Sequence, residues 1–120
     1  LVIDDEKNIV EVTRQMLERL GYRVTTHQSS TEALEHFARN AHGYDLVISD
    51  LTMPRMNGDQ LARRMVEIKP DIPIIICTGY SDLMPSGIVG DNGVRDVLVK
   101  PIMLNVLATT VRRVLDERPV

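Results

Sequence analysis

Tryptophan is absent, and aromatic residues make up only 3% of the 120-residue chain. A core must therefore be aliphatic, built from Ile, Val, Leu, Met and Ala. The single cysteine, Cys77, excludes an internal disulfide. It lies inside the apolar run IPIIIC, which points to burial as a small hydrophobe rather than to reactivity. No apolar run approaches the roughly 18 residues needed to span a bilayer, and nothing resembles a signal peptide. A cytoplasmic location is expected. Basic charge is not in excess: 14 Lys and Arg stand against 17 Asp and Glu, so a net charge of −3 gives no electrostatic case for nucleic-acid binding. His27, His36 and His42 share no metal-ligand spacing. With 43% hydrophobic residues and no linker, repeat or composition shift, one domain over residues 1–120 is expected. The chain opens inside a strand-like run without an initiator Met, and reads as a piece of a longer protein.

Short apolar runs alternate with amphipathic ones. Leu1–Ile3 reads as a buried strand. A helix follows from Lys7 to Leu20, with Ile9, Val12, Met16 and Leu20 spaced to share an inward face. Gly21 stands where a left-handed cap is expected. The β-branched stretch Tyr22–His27 reads as a second strand. Ser29 and Glu32 form a capping-box pattern ahead of a stripe of Ala33, Leu34, Phe37, Ala38 and Ala41. Asp45–Ser49 is a third strand. A third helix is capped by Asn57, faces inward through Leu61, Met65 and Ile68, and is stopped by Pro70. Ile72–Cys77 is apolar throughout, as expected for a strand covered on both faces. Val97–Val99 is a fifth strand. The last helix carries Leu104, Leu107, Ala108, Val111, Val114 and Leu115 at helical spacing. The fourth crossover, with Pro85, Gly87, Gly90 and Gly93, predicts only a short or kinked helix. This alternation implies an α/β fold, a doubly wound five-stranded parallel sheet, and the order expected for it is 2-1-3-4-5, that of a flavodoxin-like (βα)5 fold.

In such a sheet ligands sit beyond the carboxyl ends of the strands. Asp4 and Asp5 follow strand one, Asp50 ends strand three, Thr78 follows strand four, and Lys100 and Pro101 follow strand five. Helix capping explains one acid at one helix start. It does not explain a third acid from another strand with a Thr and a Lys beside it. Three carboxylates, a hydroxyl and an ammonium in one place suit phosphoryl transfer to a carboxylate. Asp50 acts as nucleophile, the acids hold Mg2+ (or Mn2+), Lys100 neutralises a phosphoryl oxygen, and the Thr78 hydroxyl donates to another.

The stretches VIDDE, DLVISDLTMPRMNG, IIICTGYSD and VLVKP, taken together, resemble the receiver domain of two-component response regulators along essentially the whole chain. The resemblance implies that Asp50 is the phosphoacceptor and that Asp4 and Asp5 are the acidic metal pair. It makes Thr78 the switch hydroxyl and Lys100 the phosphate-binding lysine. The backbone carbonyl of Thr52 joins the metal ligands, and the Lys100–Pro101 bond is cis. Met53, Pro54 and Gly58 match the loop after the phosphoacceptor. It further implies a phosphorelay signalling module, not an enzyme beyond its own phosphorylation and dephosphorylation. Its partner is a sensor histidine kinase or a histidine phosphotransfer protein, and any output domain lies outside this chain. The face made by the fourth crossover, strand five and the last helix shifts between two states. The sequence departs from the family at Val97, where an aromatic often stands three residues before the lysine; Tyr80 is the nearest aromatic to Thr78. CTGYSD and the Gly/Pro-rich crossover look most like receiver modules of hybrid sensor kinases.

Two rivals stay open on the residues alone. An aspartyl-phosphate phosphatase or phosphotransferase usually has a second acid two residues after the nucleophile, where Thr52 stands here. A flavin binder needs a Ser/Thr/Gly phosphate loop after strand one, where acids stand instead.

Overall fold

The computed structural model describes residues 1–79, 89 and 93–117. Five parallel strands, β1 (Val2–Ile3), β2 (Thr26–His27), β3 (Val47–Asp50), β4 (Ile74–Thr78) and β5 (Val94–Val99), form one sheet of order β2-β1-β3-β4-β5. The helices are α1 (Lys7–Arg19), α2 (Ser30–Asn40), α3 (Gly58–Ile68) and α4 (Leu104–Asp116), with a 3-10 turn at Ala41–Gly43 after α2. The expected fourth-crossover helix, Tyr80 and Met84 lie outside the described residues.

Strand periodicity explains why the sheet reads as uniformly apolar. In β4, Ile74 and Ile76 join one cluster with Ala33, Phe37, Leu61 and Met65 of α2 and α3. Ile75 and Cys77 join another with Val10, Leu17, Leu107, Val111 and Val114 of α1 and α4. Alternate side chains thus meet helices on opposite faces, and neither set tolerates a polar residue. Burial in this second layer pushes the Cys77 thiol up to about 12.

Several local expectations hold. The Ser29 half of the expected capping box is present at the start of α2, where the Glu32 N–H donates to Ser29 Oγ at 3.3 Å. Asn57 is the N-cap of α3, and its own N–H donates to Gln60 Oε1 at 3.1 Å. Gly21 takes φ +95° just beyond α1. The Lys100–Pro101 bond is cis.

Other expectations are corrected. The buried face of α1 is Val10, Thr13 and Leu17. Val12 is 53% and Leu20 38% exposed, with Ile9 and Met16 only half-buried. Both sets keep helical spacing; Thr13 disguised the true one, and packing on the sheet chose it. Ile68, at the last turn of α3, is likewise exposed. The strand pairing of β2 covers only Thr26–His27, while β5 extends back to Val94. Asp50 ends β3 as expected, whereas Thr78 is the last residue of β4 rather than the residue after it.

Gly58 lets α3 start against the end of β3. Its N–H donates to the Leu51 carbonyl at 2.7 Å. A Cβ there would overlap the Asp50 carbonyl oxygen and lie 3.1 Å from Ile76 Cδ1. Gly58→Ala is expected to destabilise the fold by at least about 2 kcal/mol in urea unfolding. Cys77 is expected to stay unreactive toward a thiol-specific disulfide reagent until the protein unfolds.

Candidate functional site

The strand register sets the site. Ile3 pairs with Ser49, and Asp50 pairs with Cys77, so Asp4 and Asp50 come level at the carboxyl edge of neighbouring strands. Thr78 pairs with Val99 one row beyond, and the Lys100 N–H donates to the Thr78 carbonyl at 2.7 Å. From that backbone position the Lys100 ammonium reaches back over the end of β4. It lies 2.9 Å from Asp4 Oδ2 and 3.0 Å from Asp50 Oδ1. Asp4 and Asp50 are 3% and 6% exposed, which makes this a buried pairing; Asp5 is exposed.

The acids at the start of α1 have divided roles. Glu6 occupies the N-cap position without a side-chain cap bond, and its N–H donates to Asp4 Oδ1 at 2.9 Å. Asp4 therefore closes a short Asx turn while its other oxygen faces Lys100. Asp4, Asp5 and Asp50 each offer an oxygen within 4.8 Å of the others.

Electrostatics follow from this crowding. Burial pushes the Asp50 carboxyl from 3.8 up to about 6; the Lys100 hydrogen bond opposes the rise, and the charges of Asp4 and Asp5 add to it. For Lys100, burial pulls the ammonium down, but its bonds to Asp4 and Asp50 outweigh that and hold it above its ordinary value. Three carboxylates against one ammonium leave two negative charges uncompensated. That oxygen-only set, open through Asp5, fits a hard divalent cation of the Mg2+ type.

The structure thus gathers Asp4, Asp5, Asp50 and Lys100 by side chain and Thr78 by strand position. The Thr78 hydroxyl also donates to the Gly79 carbonyl at 3.2 Å. Thr52 is exposed in the loop two residues past Asp50, and Val97 packs half-buried against the α2–α3 side of the core. Sequence reading passed over the Glu6 N–H and Ser30, whose hydroxyl bonds the Pro54 carbonyl at 3.3 Å. The SST run signalled only a helix start. A cleft of about 740 Å³ lies elsewhere, lined by Leu1, Tyr22, Leu46 and Leu115, and holds none of the site residues.

The family model of the response regulator receiver domain matches residues 1–112, and the chain belongs to that family. It is 33% identical over 117 residues to the C4-dicarboxylate transport transcriptional regulatory protein DctD of Rhizobium meliloti (strain 1021), covering 98% of this chain and 25% of that protein. It is 37% identical over 118 residues to the DNA-binding transcriptional regulator NtrC of Azospirillum brasilense, covering 98% of this chain and 24% of that protein. The chain thus spans about a quarter of the length of these curated relatives. A response regulator receiver domain protein from Clostridium thermocellum superposes with a TM-score of 0.84 at 34% identity, covering 96% of this chain and 91% of that one. Another, CheY-like, from Methanospirillum hungatei JF-1 gives 0.86 at 28% identity, with coverages of 97% and 91%. The fold is the flavodoxin-like one of these receiver domains, and the chain is a signalling module of two-component systems. No helix among the described residues is long and apolar enough to cross a membrane.

Without metal, the native state holds the Asp50 proton more tightly than the unfolded chain does. Its contribution to stability is present below about pH 4 and lost as pH rises through about 6. Asp50→Asn is expected to remove that slope and to stabilise the metal-free protein at pH 7.5 by about 1–3 kcal/mol, read from denaturant titrations at several pH values.

Proposed function

We propose that Asp50 accepts a phosphoryl group from a phosphohistidine of a partner protein, a sensor histidine kinase or a histidine phosphotransfer protein. The observation that carries this reading is the Lys100 ammonium shared by Asp4 and Asp50, with Asp5 beside them. An Asp50 oxygen attacks phosphorus, the phosphorus–nitrogen bond of the donor breaks, and its electron pair returns to the imidazole, which takes a proton. An acyl phosphate remains on Asp50, and water later hydrolyses it. Held by Asp4, Asp5, Asp50 and the Thr52 carbonyl, Mg2+ would offset the repulsion between the two anions. Lys100 supplies a point charge to the phosphoryl oxygens, and Thr78 turns its hydroxyl from the Gly79 carbonyl toward them.

The added charge biases β5, α4 and the fourth crossover between two packings, though part of that face lies outside the described residues. A swing from mostly off to mostly on needs roughly 5 kcal/mol of differential stabilisation. Two of the relatives are named as transcriptional regulators, which supports an output domain beyond residues 1–120 and a cytoplasmic place of action. The domain itself acts as a phosphoacceptor, catalysing at most its own phosphorylation and dephosphorylation. Thr52, at the position of the second acid that an aspartyl-phosphate phosphatase uses, stands against the enzyme reading.

Incubation with acetyl phosphate and Mg2+ is expected to add one acid-stable, base-labile phosphate per chain, seen by intact-protein mass spectrometry. Asp50→Ala abolishes it, and Lys100→Met slows it at least about tenfold. Phosphate retained in Asp50→Ala, or multiple turnover on varied phosphoesters, would contradict the proposal.

A further inference from the structure

Residues 51–57, which join Asp50 to α3, follow a strained path. Pro54, Arg55 and Met56 form a γ-turn, with the Met56 N–H on the Pro54 carbonyl at 2.8 Å and φ +71° at Arg55. That conformation suits glycine, and a non-glycine residue holds it only where its surroundings over-determine it. Several ties come from the loop and the strand ends. The Leu51 N–H bonds the Cys77 carbonyl at 2.8 Å, and the Met53 N–H bonds Asn57 Oδ1 at 3.2 Å.

Another tie comes from α2. Ser30 is 3% exposed, and its hydroxyl donates to the same Pro54 carbonyl that closes the γ-turn, at 3.3 Å. Ser29 already accepts from the first turn of α2, so the helix start does not require a second hydroxyl. Met53, next to Pro54, and Ala33, one turn on from Ser30, both belong to the buried core. Packing alone would accept alanine at position 30; the hydroxyl serves the loop.

We propose that Ser30 is a positioning residue for phosphoryl transfer. Its bond to Pro54 holds the strained loop, and with it the Thr52 carbonyl, in the register that completes cation binding beside Asp50. This rests on the proposed function, in which that carbonyl and the three aspartates share Mg2+.

The test uses the full chain with Ser30→Ala, Arg55→Gly and the double variant. Calorimetry gives the Mg2+ dissociation constant, and acyl-phosphate formation is followed against Mg2+ concentration. Loss of one neutral hydrogen bond predicts that Ser30→Ala weakens Mg2+ about fivefold, with the rate at saturating Mg2+ unchanged. Arg55→Gly in the Ser30→Ala background is expected to restore affinity, because glycine takes the left-handed conformation without a tether. A purely structural serine would lower the melting temperature and leave Mg2+ half-saturation where it was. That result, or a loss that Arg55→Gly fails to relieve, overturns the proposal. If Ser30→Ala does not fold, Ser30→Cys, of similar shape but a weaker donor, is expected to weaken Mg2+ to a smaller degree, and wild-type affinity there overturns it too. A wild-type chain that neither binds Mg2+ nor takes phosphate would instead overturn the proposed function, and Ser30's role with it.

Discussion

The Lys100 ammonium between Asp4 and Asp50 is the contact on which the rest of the site turns. Two buried carboxylates and a third at the rim repel one another in a partly dry setting, where charges interact far more strongly than in water. A cation from the last strand makes their proximity tolerable. Compensation is incomplete, and burial still drives the Asp50 carboxyl up to about 6. A site left short of positive charge favours any process that delivers more of it.

The fold serves that contact through register and close approach. Parallel pairing puts β1, β3, β4 and β5 carboxyl ends on one edge, so Asp4, Asp50 and Lys100 meet there with Thr78 on the same edge, although nearly 100 positions separate the first from the last. Gly58 brings the start of α3 against the Asp50 carbonyl, and Leu51 is bonded on one side to β4 and on the other to Gly58. The two aliphatic layers beneath give this edge a rigid base despite the near absence of aromatic rings. Rigidity below and strain at Arg55 above are complementary, since a positive φ at a non-glycine residue survives only where neighbours hold it.

Much of this was legible along the chain. The acids after strand one, Asp50, Thr78 and Lys100 could be read because each sits at a strand end, and strand ends are marked by where apolar runs stop. The face of α1 could not. Ile9, Val12, Met16 and Leu20 keep helical spacing as well as Val10, Thr13 and Leu17 do, and only contact with the sheet distinguishes them. Edges were misjudged for a similar reason. Tyr22–Val24 have strand-forming residues but no strand partner among the described residues, and Thr25 gives only its carbonyl to the Val2 N–H, whereas Val94–Asp96 gain a partner from β4.

The sequence by itself determined the alternation of elements, the parallel doubly wound sheet and the identity of the residues at its carboxyl edge. Those features depend on local periodicity and on handed crossovers, which short windows encode. Tertiary structure alone decided that Lys100 bridges Asp4 and Asp50, that Gly58 abuts the Asp50 carbonyl, and that Ser30 reaches Pro54. These are contacts between side chains and backbone from separate elements. Their distances arise only when the layers pack, and no spacing along the chain carries them.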